Sequence, residues 1–223
     1  MGVPVLILGE SGSGKTASLR NMKGDNCFIF NVAGKNFSFK NVNKLIKVDN
    51  CNYDFIKAVL LKAVNNPENK IKTFVIDDSQ YLMAFELFSK AKETGYGKFT
   101  DIALHFKDLI TFIINSLPSD YIVYFLHHVE RTEDGHIKAK TSGKMLDNQL
   151  TMEGLFTNVI MATVNLGKYE FMVHDKNGIS TVKTPLGMFD TDFVNNDLKL
   201  IDDKIREYYE LWVEYLKDSS LSV

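Results

Sequence analysis

Residues 9–16 read GESGSGKT and follow directly on the apolar run VPVLIL. The run has the texture of a strand buried on both faces, and TASLRNM after the loop has the texture of a helix. Between a strand and a helix, this octapeptide satisfies G-x-x-x-x-G-K-[ST] in full, which is the context that motif requires. Successive main-chain N–H groups wrap a polyphosphate only where side chains do not intrude, hence the glycine content of Gly9, Glu10, Ser11, Gly12, Ser13, Gly14, Lys15 and Thr16. Lys15 supplies a point charge for the terminal phosphates, and the Thr16 hydroxyl is a ligand for Mg²⁺. The positive end of the following helix is expected to add to the field. The ligand these residues call for is a purine nucleoside triphosphate, ATP, with Mg²⁺.

Such a loop needs an acid to hold the metal's water shell, and KTFVIDDS offers Asp77 and Asp78 at the end of a strand. Asp77 is the expected Mg²⁺ partner; Asp78 and Glu10 are both candidates for orienting the attacking water. The next apolar strand, DYIVYFLHH, ends in two imidazoles, of which His127 is placed to sense a terminal phosphate, with His128 facing the other way. Beyond it, Arg131, Lys138, Lys140 and Lys144 make a basic stretch with no acid between Gly135 and Met145. That stretch suits DNA phosphates or the nucleotide site of a neighbouring subunit, and as a solvated hairpin it needs neither. Phe37 and Phe39, between Lys35 and Lys40, read as anchors of a loop rather than as a base-stacking platform.

A net charge of -2 gives no global basic field, so a nucleic-acid partner would be held locally. Cys27 and Cys51 are too few for a disulfide scaffold, and with His127, His128 and His136 they lack metal-ligand spacing. Buried thiols in a reducing cytoplasm are expected. No signal segment and no membrane-spanning apolar run is visible.

Strands and helices alternate through CFIFNV, YDFIKAVLLKAV, KTFVIDDS, YLMAFELFSKAKE, FTDIALHFKDLITFIINSL and DYIVYFLHH. This predicts an α/β fold with a mostly parallel sheet. A hairpin is expected at Asp134-Gly135, then strands in NVIMATVNL, KYEFMVHD and ISTVKT, forming an antiparallel extension. A final amphipathic helix carries Ile205, Tyr208, Leu211, Trp212 and Tyr215. Residues 1–223 read as one domain.

With KTSGKM and TPLGMFDTDFVNNDLKLIDDKIREYY added to these motifs, the chain resembles the small phage-encoded AAA-type ATP-binding proteins with a RecA core. Among them are the RecA/Rad-like single-strand annealing proteins. The resemblance spans nearly the whole chain. It implies a P-loop NTPase, RecA-like fold, ATP hydrolysis, rings or filaments of identical subunits, single-stranded DNA binding, and work beside a single-strand binding protein. One departure stands out: where RecA recombinases often carry a catalytic glutamate after the second strand, this chain reads NVAGKN. Weak hydrolysis, or a nucleotide switch that recruits partners, is therefore the alternative. A small-molecule kinase is disfavoured, because Arg20, Arg131 and Arg206 are the only arginines and are widely spaced.

Overall fold

The computed structural model describes residues 1–40, 42–142 and 151–211. The strands among these described residues are β1 (Val3–Gly9), β2 (Cys27–Asn31), β3 (Ile46–Asp49), β4 (Thr73–Asp77), β5 (Ile122–Arg131), β6 (Ile137–Ala139), β7 (Asn158–Asn165), β8 (Lys168–Met172) and β9 (Phe193–Asn195). They form one sheet in the order β3-β2-β4-β5-β1-β7-β8-β9, with β6 paired to β5. Strands β3 through β7 along that order run parallel; β6, β8 and β9 are antiparallel additions. The architecture is thus mixed α/β, with a mostly parallel centre and antiparallel strands toward the C-terminal end.

The parallel strands are apolar at nearly every position because both faces are covered. From β1, Leu6 and Leu8 pack with α1 (Tyr53–Asn65), α2 (Gln80–Ser89) and α3 (Gly97–Ser116). Val5 and Ile7 face the opposite layer, which contains Leu19 and the buried stripe Leu198, Ile201 and Ile205 of α4 (Leu198–Tyr208). In α3 the buried residues Ile102, Phe106, Leu109, Ile110 and Ile113 recur at helical spacing and form a single face. Asn52 starts α1 by accepting a hydrogen bond from the Phe55 N–H at 2.9 Å, an N-cap typically worth about 1 kcal/mol.

Three expectations are corrected. TASLRNM is not an α-helix but a six-residue 3₁₀ turn, Thr16–Asn21. The phosphate-loop motif uses the chain through Thr16, leaving residues 17–26 to return to the start of β2. Rising about 2.0 Å per residue against about 1.5 Å, the tighter helix carries so short a connection farther. Its dipole is correspondingly small, so main-chain amides and Lys15 carry the local positive field. ISTVKT is not a strand: Ser180 and Lys183 form only isolated bridges to Ile137 and Val159. The Asp175 carboxylate accepts from the N–H groups of Asn177, Gly178 and Ser180, a local turn that competes with ladder pairing. The final helix ends at Tyr208, and Trp212 and Tyr215 lie outside the described residues.

The hairpin at Asp134-Gly135 is present, with Val129 opposite Ala139 and Gly135 at φ +84°. The edge strand β3, IKVD, alternates but at four residues is too short to announce itself. Among the described residues, no helix is long and apolar enough to cross a membrane.

Candidate nucleotide site

A cavity of about 720 Å³ opens at the carboxyl ends of the parallel strands, where open α/β sheets place their ligands. It gathers the 11–17 region, the loop after β2, the acids ending β4, His128 of β5, and Tyr169 and Asn196 from beyond β7. Close packing explains two of the loop's glycines. A Cβ on Gly9 would lie 2.4 Å from Ser13 Oγ. At Gly14, φ is +93° and a Cβ would meet the Tyr169 ring at 2.8 Å.

Lys15 is buried beneath this loop. Its Nζ donates to the carbonyls of Gly9 at 2.7 Å and Glu10 at 2.9 Å. An ammonium has three donors, so one remains for an anion. Burial lowers the Lys15 pKa to about 8, against the attraction of Asp78 and Asp77. Thr16 Oγ1 donates to the Asp77 carboxylate at 3.0 and 3.2 Å. Burial, reinforced by the charge of Asp78, pushes Asp77 up to about 7.

The neighbouring acid behaves oppositely. Asp78 sits at φ +60°, a left-handed conformation that Asp tolerates better than most side chains. Burial works against its charge, but hydrogen bonds from His128 and Lys35 outweigh that and hold the carboxyl at about 2. Lys35 Nζ lies 2.8 Å from Asp78 Oδ2, and His128 Nε2 lies 3.4 Å from Oδ1. The two adjacent carboxyls are therefore driven apart, a pattern that separates roles. Asp77 is poised to gain or lose a proton near neutrality, whereas Asp78 is a fixed anion and a poor base.

His127 is not at the site. It is fully buried on the α3 side: Nε2 donates to the Lys140 carbonyl at 2.8 Å, Nδ1 pairs with Ser79 Oγ at 2.8 Å, and the ring packs edge-on against Phe106. His128 takes the cavity position instead. The Glu10 side chain points away from the cavity to Arg131, with 3.1 Å between Glu10 Oε1 and Arg131 Nη2 on the exposed surface. Lys138 pairs with Glu130 at 3.1 Å, and Lys140 is exposed. Lys144 lies outside the described residues. Phe37 and Phe39 stack on each other at 5.5 Å and pack against the sheet face that carries α4, as loop anchors do.

Sequence reasoning missed Lys35 as a site residue, along with Tyr169, Asn196 and Arg20. For Lys35 a signal existed: it occupies the segment after β2 already notable for lacking an acid.

Among the described residues, no three or more His, Cys, Asp or Glu side chains group to hold a metal by themselves. Thr16 and Asp77 nevertheless fit Mg²⁺, which takes one or two protein oxygens and completes its shell with water and substrate phosphates. The raised pKa of Asp77 marks a carboxylate that a nearby cation would stabilise. No protein-family model matches the chain, and a search of curated proteins finds no match.

Burial lowers the His127 pKa to about 4, against about 6.5 for an unfolded histidine. Between those values the unfolded chain binds more protons, so this contribution is complete above pH 6.5 and is lost as pH falls toward 4. The full loss is about 3 kcal/mol. Urea titrations at pH 7 and 4.5 check this. His127→Gln is expected to unfold more easily at pH 7 and to show a shallower acid decline; an unchanged decline would place the acid sensitivity elsewhere.

Proposed function

We propose that this chain is an ATP-binding protein of the P-loop class with a RecA-like core, taking ATP with Mg²⁺ at the mouth of its parallel sheet. The observation that carries the reading is the convergence of Lys15, Thr16 and Asp77 at one wall of the cavity. Lys15 is held beneath a glycine-lined loop, and the Thr16 hydroxyl is hydrogen-bonded to a buried acid sixty-one residues away. The order of the parallel strands supports the same reading, since β5 separates the loop-bearing β1 from the acid-bearing β4.

In this reading, Thr16 and Asp77 would hold the Mg²⁺, which neutralises phosphate charge when bound. Lys15 holds the terminal phosphates, and Lys35, beside Asp78, presents further donors. The surroundings of the acids favour slow hydrolysis. Asp78 is engaged by two cation-capable side chains, and Glu10 is turned to Arg131, so neither is free to draw a proton from water. This specific arrangement supports the switch reading, with ATP retained rather than rapidly spent.

The strand-annealing role rests on the sequence resemblance. Arg131 and Lys138 both have acidic partners, leaving exposed Lys140, among the described residues of the basic stretch, for a DNA backbone.

Calorimetry of the full chain is expected to show saturable, Mg²⁺-dependent ATP binding below millimolar. Single-turnover assays are expected to show bound ATP lasting many minutes. Absence of binding at several millimolar ATP would sink the proposal, and rapid turnover would remove the switch. Repeating the turnover and gel-retention measurements with single-stranded DNA tests the annealing role by itself.

A further inference from the structure

Two groups of cavity residues lie on opposite sides of β1. Asp77, Asp78, His128 and Lys35 come from β4, β5 and the loop after β2, all on one side. Tyr169 of β8 and Asn196, just after β9, come from the other. Phe37 and Phe39 also line the cavity, but their rings stack on each other, and the unmatched buried amide of Asn196 lies beside Tyr169; a triphosphate whose terminal groups lie toward the charged side then has its nucleoside toward Tyr169 and Asn196.

Asn196 is only 3% exposed, lines the cavity, and carries a side-chain Nδ2 with no hydrogen-bond partner among the described residues. A buried amide donor left unmatched carries a desolvation cost that a ligand acceptor removes. The segment is fixed in place from the 3₁₀ turn: Arg20 donates to the Asn196 carbonyl at 2.5 Å, and Asn21 Nδ2 donates to Asp197 Oδ2 at 2.7 Å. Tyr169 reaches over Gly14 beside it and is half exposed, giving a base an aromatic neighbour.

Resting on the ATP reading above, we infer that Tyr169 and Asn196 form the base-recognition end of the site and select adenine over guanine. An amide presents one donor and one acceptor, which match the adjacent acceptor and amino donor on an adenine edge. Guanine is set apart by two donors side by side, N1–H and the N2 amino group, which a carboxylate meets in full and an amide does not. Of the two acids next to these residues in the chain, Asp197 is already taken by the Asn21 amide and by the Lys199 N–H at 3.0 Å, and Glu170 is paired with Lys168 at 2.5 Å.

The test compares ATP, GTP and inorganic tripolyphosphate, each with Mg²⁺, by calorimetry on the full chain, on two variants and on a Tyr169→Phe control. The parent is expected to prefer ATP to GTP by about tenfold or more. Asn196→Asp exchanges the donor for an acceptor and is expected to shift the preference toward GTP. Tyr169→Leu is expected to weaken both nucleotides about five- to a hundredfold while leaving tripolyphosphate unchanged, with Tyr169→Phe restoring affinity. Equal binding of ATP and GTP by the parent, with both variants unaltered, would overturn the base assignment and leave the phosphate site standing. If tripolyphosphate and both nucleotides all fail to bind, the phosphate reading falls, and this inference with it.

Discussion

Asp202→Ala is expected to destabilise the fold by about 3–5 kcal/mol, the usual consequence of stranding a buried charge. Asp202 and Arg206 are both almost wholly buried, one turn apart on α4, with Arg206 Nε donating to Asp202 Oδ2 at 2.9 Å. The pair is tied to the sheet from two strands. Thr73 Oγ1 and Tyr124 OH each donate to Asp202 at 3.1 Å, while Arg206 Nη2 donates to Thr73 Oγ1 at 2.8 Å and Nη1 to the Asp120 carbonyl at 3.0 Å. Removing the carboxylate takes the Asp202 charge away from the buried guanidinium and the acceptor away from the Tyr124 hydroxyl. Since domains have only about 5–15 kcal/mol in total, the loss is severe. Arg206→Ala is expected to cost less, because two hydroxyl donors still satisfy the acid. Asp202→Leu combined with Arg206→Met is expected to recover most of the loss, since an apolar pair of similar volume avoids desolvation altogether. Urea unfolding of the three proteins decides it: a cost below about 1 kcal/mol for Asp202→Ala, or a double variant no better than the single, would show that the pair is not what holds α4 to the sheet.

The parallel centre was legible because VPVLIL, CFIFNV, TFVIDD and DYIVYFLHH are apolar without alternation, and only strands covered on both faces are built that way. That same uniformity hid the orientation of the imidazoles. Ile122, Tyr124 and Leu126 face one layer, and Val123 and Phe125 the other, but all are apolar, so nothing in the run fixes the phase at its end. His127 continues the face of Phe125 into α3, and His128 emerges at the cavity. GESGSGKT identified one wall of the site because its function lies in local backbone spacing. Tyr169 and Asn196 reach the site only through strand order: β8 and β9 lie across β1 from the acids, and no local pattern marks either residue. The paired states of Glu10, Arg131 and Lys138 were equally hidden, since a run of cations does not announce the acids that the hairpin folds against it.

ATP affinity is expected to peak in a narrow window, between about pH 7 and pH 8, because the two principal side chains titrate from opposite sides of it. Free Lys15 has its pKa lowered to about 8 by burial. Above that value the amine is neutral and must take up a proton to meet phosphate, so affinity falls roughly tenfold per pH unit. Free Asp77 has its pKa raised to about 7 by burial. Below that value the carboxyl must give up a proton to engage Mg²⁺, so the metal-dependent part of the affinity falls as pH drops. Lys15→Ala is expected to lower affinity at least a hundredfold, about 2.7 kcal/mol, at pH 7.5 and to abolish the alkaline limb. The free variant is still expected to fold, since the change removes a desolvated cation from the interior rather than a packing side chain. Asp77→Asn is expected to flatten the Mg²⁺-dependent acid limb while leaving the alkaline one. Binding titrations from pH 6 to 9.5 on the three proteins separate the two limbs. An alkaline limb surviving in Lys15→Ala, or an acid limb surviving in Asp77→Asn, would mean that these buried groups do not meet the phosphates and the metal.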